Sequence, residues 1–156
     1  MLKRIFLLVS HGAVFVAGIA LGIYILPILT ASEGPDDAQV EALGTRALYR
    51  APIPDEVRGH DLLHWGKGEF YISERTISLR GSVAPGPNYK LYLVKQQVET
   101  KEEFLRVRSQ AALLGDVGSF DNFIVQVPPE IDVKRYTTVL VWCESFDAFI
   151  TSAHYR

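Results

Sequence analysis

Cysteine is almost missing from this chain: Cys143 is the only one. A single cysteine closes no internal disulfide, so the fold must rest on its apolar core. The motifs that cysteine and histidine usually build are missing as well. There is no C-x-x-C and no H-E-x-x-H, and without C-x-x-C-H covalent c-type haem is excluded. Neither G-x-S-x-G, G-x-G-x-x-G nor a phosphate-binding loop occurs, so hydrolase, dinucleotide and nucleotide-phosphate readings lack support. The sequence names no cofactor and no complete catalytic constellation. Whether the chain is an enzyme stays open at this level.

Charge is also missing, but only locally. Residues 5–29 form 25 consecutive positions without Asp, Glu, Lys or Arg. As a helix they span about 37 Å, enough for a bilayer core of about 30 Å. The segment has no polar face, which disfavours a buried core helix. It exceeds the apolar core of a cleaved signal peptide, and Leu29 is bulky for the small-residue site such cleavage needs. An uncleaved anchor over residues 1–30 is therefore expected. Lys3 and Arg4 precede the span, and no basic residue follows until Arg46. The positive-inside rule then puts the N-terminus in the cytoplasm and the remainder in the periplasm or outside the cell. Gly18 and Gly22 have G-x-x-x-G spacing, a pattern that glycine's frequency in membrane helices already accounts for.

All 18 acidic residues and 14 of the 16 basic ones lie beyond residue 30, a net charge of −4. That balance argues against nucleic acid as a partner, and no polybasic patch points to anionic lipid. Residues 31–58 read as a juxtamembrane linker punctuated by Pro35, Pro52 and Pro54. A short helix over residues 37–48, capped by Asp36 or Asp37, is expected within it. From Gly59 onward short β runs alternate with turn residues. Strands are expected at 60–65, 69–73, 76–80, 89–95, 112–117, 120–127, 137–144 and 148–154, with helical turns at 100–108 capped by Thr100. The fold class that follows is mainly β: an antiparallel sandwich or open barrel over residues 59–156, preceded by one transmembrane helix and a tether.

Cys143 lies on a strand apolar on both faces. Val139 and Val141 share its face, while Leu140, Trp142 and Glu144 share the other. Such a cysteine is ordinarily a small core residue; a reactive thiol needs nearby positive charge, and Glu144 and Asp147 supply the opposite sign. His60 and His64 make an incomplete metal set that needs a third ligand such as His154. Trp65, Tyr71, Tyr92 and Trp142 fall in strand-like runs where packing is the ordinary role.

Several of these runs together resemble one known family. They are residues 64–72 (HWGKGEFYI), 77–83 (ISLRGSV), 86–94 (GPNYKLYLV), 113–128 (LLGDVGSFDNFIVQVP) and 136–155 (YTTVLVWCESFDAFITSAHY). The pattern, over about two-thirds of the chain, is similar to the DM-thirteen domain, a β-rich extracytoplasmic electron-transfer module. Asn88 stands where the family usually has an acid. The resemblance implies that Cys143 is the redox-active residue; His64 and Trp142, which fall in the matching runs, are candidate binding residues. It also implies a separate redox or envelope protein as partner. The alternative that the residues leave open is a non-catalytic binding or scaffold module.

Overall fold

The computed structural model describes residues 2–156. It divides into two compact units at Thr30–Ala31. The first is a single helix, α1 (Leu2–Thr30), long and apolar enough to cross a membrane by length and composition. Its few polar side chains turn back onto its own carbonyls. Ser10 Oγ donates to Leu7 O at 3.0 Å, His11 Nδ1 lies 2.8 Å from Leu7 O, and Thr30 Oγ donates to Leu26 O at 2.8 Å. Pro27 lies inside the last turns, where it removes one backbone donor.

The second unit is a β-sandwich of two four-stranded antiparallel sheets. One sheet has the order β1-β2-β3-β6, from Tyr49–Pro52, Gly66–Ile72, Thr76–Val83 and Asp121–Gln126. The other has the order β5-β4-β7-β8, from Ala112–Asp116, Tyr89–Val94, Thr138–Cys143 and Ala148–His154. Period-two alternation decides which side chains meet. Phe70 and Ile72 of β2 pair with Leu79 and Ile77 of β3, which pair in turn with Phe123 and Val125 of β6. Leu91 and Leu93 of β4 pair with Val141 and Val139 of β7. All ten are buried. Each such side chain contributes roughly 1.5–3 kcal/mol on burial, so this core is what replaces the missing disulfides.

Two short helices cover the sheets' other faces. The Asp36 carboxylate caps α2 (Asp37–Gly44), accepting from Gln39 N at 2.7 Å. Gly44 lies so close to the Tyr71 ring that a Cβ there would come within 2.8 Å of it. Thr100 caps α3 (Lys101–Val107), its Oγ accepting from Glu103 N at 3.3 Å. The Glu103 carboxylate reaches back to the Glu99 N–H at 2.8 Å, close to a capping box. Gly68 and Gly81 face each other across β2 and β3 with φ of +113° and +150°. A Cβ on either would lie 2.0 Å from a carbonyl oxygen of the opposite strand, so only glycine fits this crossing.

The strand total matches the sequence expectation, but its membership does not. Residues 60–65 are a turn, not a strand. Asp61 Oδ1 accepts from Leu63 N at 2.7 Å and from His64 N at 2.8 Å, and this side-chain competition for the backbone overrides the local β propensity. The eighth strand is β1, inside the segment expected to be a linker. Residues 31–58 belong to the same compact unit as the sandwich. Val40, Ala51, Ile53 and Val57 from that segment are buried. Pro52 misled because proline disfavours central strands, whereas β1 is an edge, where it is tolerated. The helix of this segment ends at Gly44, four residues short of the expected 48.

A fragment starting at Gly59 therefore loses an edge strand and four buried side chains. Urea unfolding should show residues 59–156 less stable than residues 31–156 by several kcal/mol, on the order of 1.5–3 kcal/mol for each large aliphatic side chain removed. Equal midpoints for the two fragments would mean that β1 and α2 contribute nothing.

Candidate functional site

The last residues of β7 project to opposite sides of their sheet. Cys143 pairs across the strand with Tyr89, on the face that carries Leu91, Val139 and Val141. Trp142 pairs with Lys90 and points to the face covered by α3. The adjacent pair in the sequence therefore occupies two environments.

Cys143 is 2% exposed. Its Sγ donates to Pro87 O at 3.1 Å, which ties the thiol to the loop joining β3 and β4. Gly86 of that loop sits against the Tyr89 ring; a Cβ there would be 2.4 Å from the phenol oxygen. Asn88, at φ +53°, turns the chain into β4 in a left-handed conformation that Asn accommodates, so the departure from the family's usual acid leaves the turn intact. Burial pushes the thiol pKa up. The backbone N–H groups of Phe146 and Ser145 oppose the rise, while the charges of Glu144 and Asp147 add to it. The resting group is a neutral thiol held under one loop.

Trp142 is wholly buried, against Phe104 with ring centroids 4.7 Å apart. Phe104 also meets Tyr92 edge-on at 5.1 Å. Among the described residues the indole Nε1 finds no hydrogen-bond acceptor, a deficit that costs about 1–3 kcal/mol and that the packing of the ring must offset. Over this cluster lies a charged cap that the sequence did not disclose. Arg108 donates to Glu144 at 2.5 Å and to Asp147 at 3.0 Å, and its guanidinium stands 5.7 Å from the centre of the Trp142 ring. Tyr92 Oη donates to the other oxygen of Glu144 at 2.5 Å. Arg108 therefore pairs with both acids beside Cys143, one guanidinium against two carboxylates. A sequence signal for this cap exists only in hindsight: Glu144 follows β7 on Trp142's face, and Arg108 immediately follows α3.

His64 is engaged elsewhere: its Nδ1 lies 2.9 Å from Asp61 Oδ2 in the 61–64 turn. His60 Nε2 lies 3.0 Å from Thr151 Oγ, and His154 Nδ1 lies 3.1 Å from Thr138 Oγ. The three imidazoles thus serve three separate partners. Among the described residues no group of three His, Cys, Asp or Glu side chains is placed to hold a metal. An open cleft of about 620 Å³ lies on the other sheet, against Gly68, Glu69, Arg80 and Asn122, and does not include Cys143.

The cysteine at the end of β7, packed against the turn before β4, lies within the region that decides the family. Residues 59–155 match the family described as Electron transfer DM13. The chain belongs to that family. No curated protein and no solved structure matches it. The DM13 match begins within the segment leading to β2, so β1 and α2 lie outside it although they fold with it.

Tyr92 offers a check on the cap. Desolvation raises its pKa to about 12, with the Glu144 hydrogen bond and charge adding to the rise. In an absorbance titration, subtracting Tyr92→Phe from the parent should isolate a phenol ionising near that value. Glu144→Gln should move it down while leaving it above an ordinary tyrosine, because burial remains. An unmoved titration would remove Glu144 from the account. The folded state holds both the Cys143 and Tyr92 protons more tightly than the unfolded chain does. Their contribution to stability is thus present below the ordinary thiol and phenol ranges and is lost as pH rises through them.

Proposed function

We propose that this chain is a membrane-anchored, extracytoplasmic electron-transfer module in which Cys143 is the redox group. The observation that carries the reading is the DM13 match over the region that contains Cys143. The anchor is α1, with the N-terminus in the cytoplasm as the flanking Lys3 and Arg4 imply. The donor or acceptor is a separate envelope protein carrying a disulfide. In the exchange, the Cys143 thiolate attacks one sulfur of that disulfide. A mixed disulfide forms, the partner's S–S bond breaks, and the departing sulfur takes the proton that Cys143 gives up. A dithiol on a second protein then attacks the Cys143 sulfur, releasing the first partner as its dithiol, and closes its own disulfide to return Cys143 as the thiol, so that two electrons pass from the second protein to the first.

The structure bears on the conditions for this step. The thiolate is the nucleophile, and burial disfavours it. Attack also requires the sulfur to be uncovered. The cover is the loop that contributes the Pro87 carbonyl, so its displacement is the gating motion. A second reading is favoured by one observation, the 2% exposure of Cys143: a non-catalytic binding module in which the cysteine only fills the core.

Alkylation of the full chain in detergent, followed by mass spectrometry across pH, separates the two. On the redox reading, native Cys143 labels slowly at neutral pH and faster as pH rises past the ordinary thiol value of about 8.5. It also forms a mixed disulfide with oxidised glutathione. Gly86→Ala, which forces the loop off the Tyr89 ring, should speed both reactions, by roughly tenfold for each unit by which it lowers the thiol pKa. If no mixed disulfide forms under any condition in which the chain stays folded, the redox reading fails and the binding module stands.

A further inference from the structure

The cleft on the β1-β2-β3-β6 sheet takes no part in the chemistry of Cys143. It includes the crossing of Gly68 and Gly81, which face each other on β2 and β3. Two neighbouring positions without side chains leave bare backbone in a space of about 620 Å³. Sites for small ligands ordinarily fall between roughly 300 and 1,000 Å³. Glycine at such a place lets a ligand approach the backbone closely.

The sheet is also irregular here. The register of β3 against β6 shifts between Leu79 and Ser82. Gly81 N donates to the Asn122 side chain, to Oδ1 at 2.9 Å. The same amide group donates from Nδ2 to Asp37 Oδ1 at 2.8 Å and to Pro35 O at 3.2 Å. One side chain thus fixes the irregular strand and holds the Asp37 carboxylate of α2 at the cleft. Irregularities of this kind recur beside binding sites, where they re-aim side chains. Asp37 precedes the region matched by the DM13 family, so this arrangement draws on more of the chain than that region.

The lining carries both kinds of hydrogen-bonding group. Glu69 lies across from Arg80, and Ser82 across from Asp121. Arg80 commits Nη1 to Glu41 at 2.6 Å, which leaves its other nitrogens in reserve. Among the described residues the side chains of Asp121 and Ser82 have no partner. No three side chains among the described residues are placed to hold a metal ion. An organic cation would meet the Arg80 guanidinium on the interior strand β3, and an anion would meet three carboxylates. A neutral molecule that donates and accepts in equal measure suits the set. We infer that this cleft is a saccharide-binding site. Asp37 and Asp121 accept from sugar hydroxyls, Arg80 and Ser82 donate to them, and the glycine crossing lets the sugar ring lie against the backbone. Carboxylate and guanidinium groups make hydrogen bonds roughly twice as strong as neutral ones and engage two adjacent hydroxyls at once. The site depends neither on the redox state of Cys143 nor on α1.

Saturation-transfer difference NMR tests this on the full chain in an amine-oxide detergent, whose head group carries no sugar. The probes are glucose, galactose, mannose, N-acetylglucosamine, maltose and cellobiose. At least one should receive saturation at its ring protons, with a millimolar or tighter Kd. Asp121→Ala should weaken that binding roughly ten- to a hundredfold, the worth of hydrogen bonds to one charged group. Ser82→Ala should weaken it less, and Cys143→Ser not at all. Because Asp121 and Ser82 have no partners, the urea midpoint should stay unchanged in both variants. No transfer to any of the six sugars at tens of millimolar overturns the inference. Binding that survives Asp121→Ala combined with Ser82→Ala overturns it as well. Stronger transfer to spermidine than to every sugar also overturns it, in favour of a cation site.

Discussion

All six residues of β7 are buried, so both of its faces must be covered, and most of the second unit follows from that requirement. Its inner face is covered by the facing sheet, while β4 and β8 flank its two edges. Its outer face is covered by α3, whose Phe104 is buried against Trp142. A strand buried on both sides is the extreme of a sandwich, where one face ordinarily stays wet. It explains why a helix of only seven residues is held so firmly: its cap at Thr100 and the Arg108 contacts at its far end fix the one aromatic ring that roofs Trp142. It also places Cys143 and Trp142, neighbours in sequence, in chemically different surroundings.

What was legible in the sequence was whatever period two or a lack of charge could express. The apolar run of α1, the runs that became β2 to β8, and the caps at Asp36 and Thr100 were all visible because each depends on neighbours within a few positions. The misjudged segments depend on distant ones. β1 is a strand because β2 offers it a free edge, and nothing in Tyr49–Pro52 announces that edge. Residues 60–65 carry aromatic and aliphatic residues suited to a strand, yet Asp61 captures two backbone N–H groups first. The site divides in the same way. Cys143 could be singled out by being alone. Arg108, whose guanidinium pairs with Glu144 and Asp147 across 36 and 39 positions, could not.

The electrostatics around Cys143 refine what the sequence led one to expect. Glu144 and Asp147 do oppose a thiolate, but they are secondary to burial, and both pair with Arg108. The controlling variable is therefore solvent access. A thiol whose pKa is raised mainly by desolvation changes state when its cover moves, whereas one raised by fixed charge does not. Its cover is a loop containing Pro85, Gly86 and Pro87, anchored to the thiol through one carbonyl and to Tyr89 through one contact. Pro85 and Pro87 fix two of its φ angles, which limits the conformations open to the loop.

Placement then matters as much as reactivity. The covering loop, the Cys143 turn and the strand end where the chain arrives from α1 all belong to one end of the domain, joined by the bonds from Ser32 to Gly118 and from Glu144 to Asn88. On the redox reading, a partner would reach the thiol from that end, because the other directions are closed by β4, β8 and the facing sheet. On the same reading, whatever moves this cover governs the exchange, since displacing one loop turns a buried thiol into one that can be attacked.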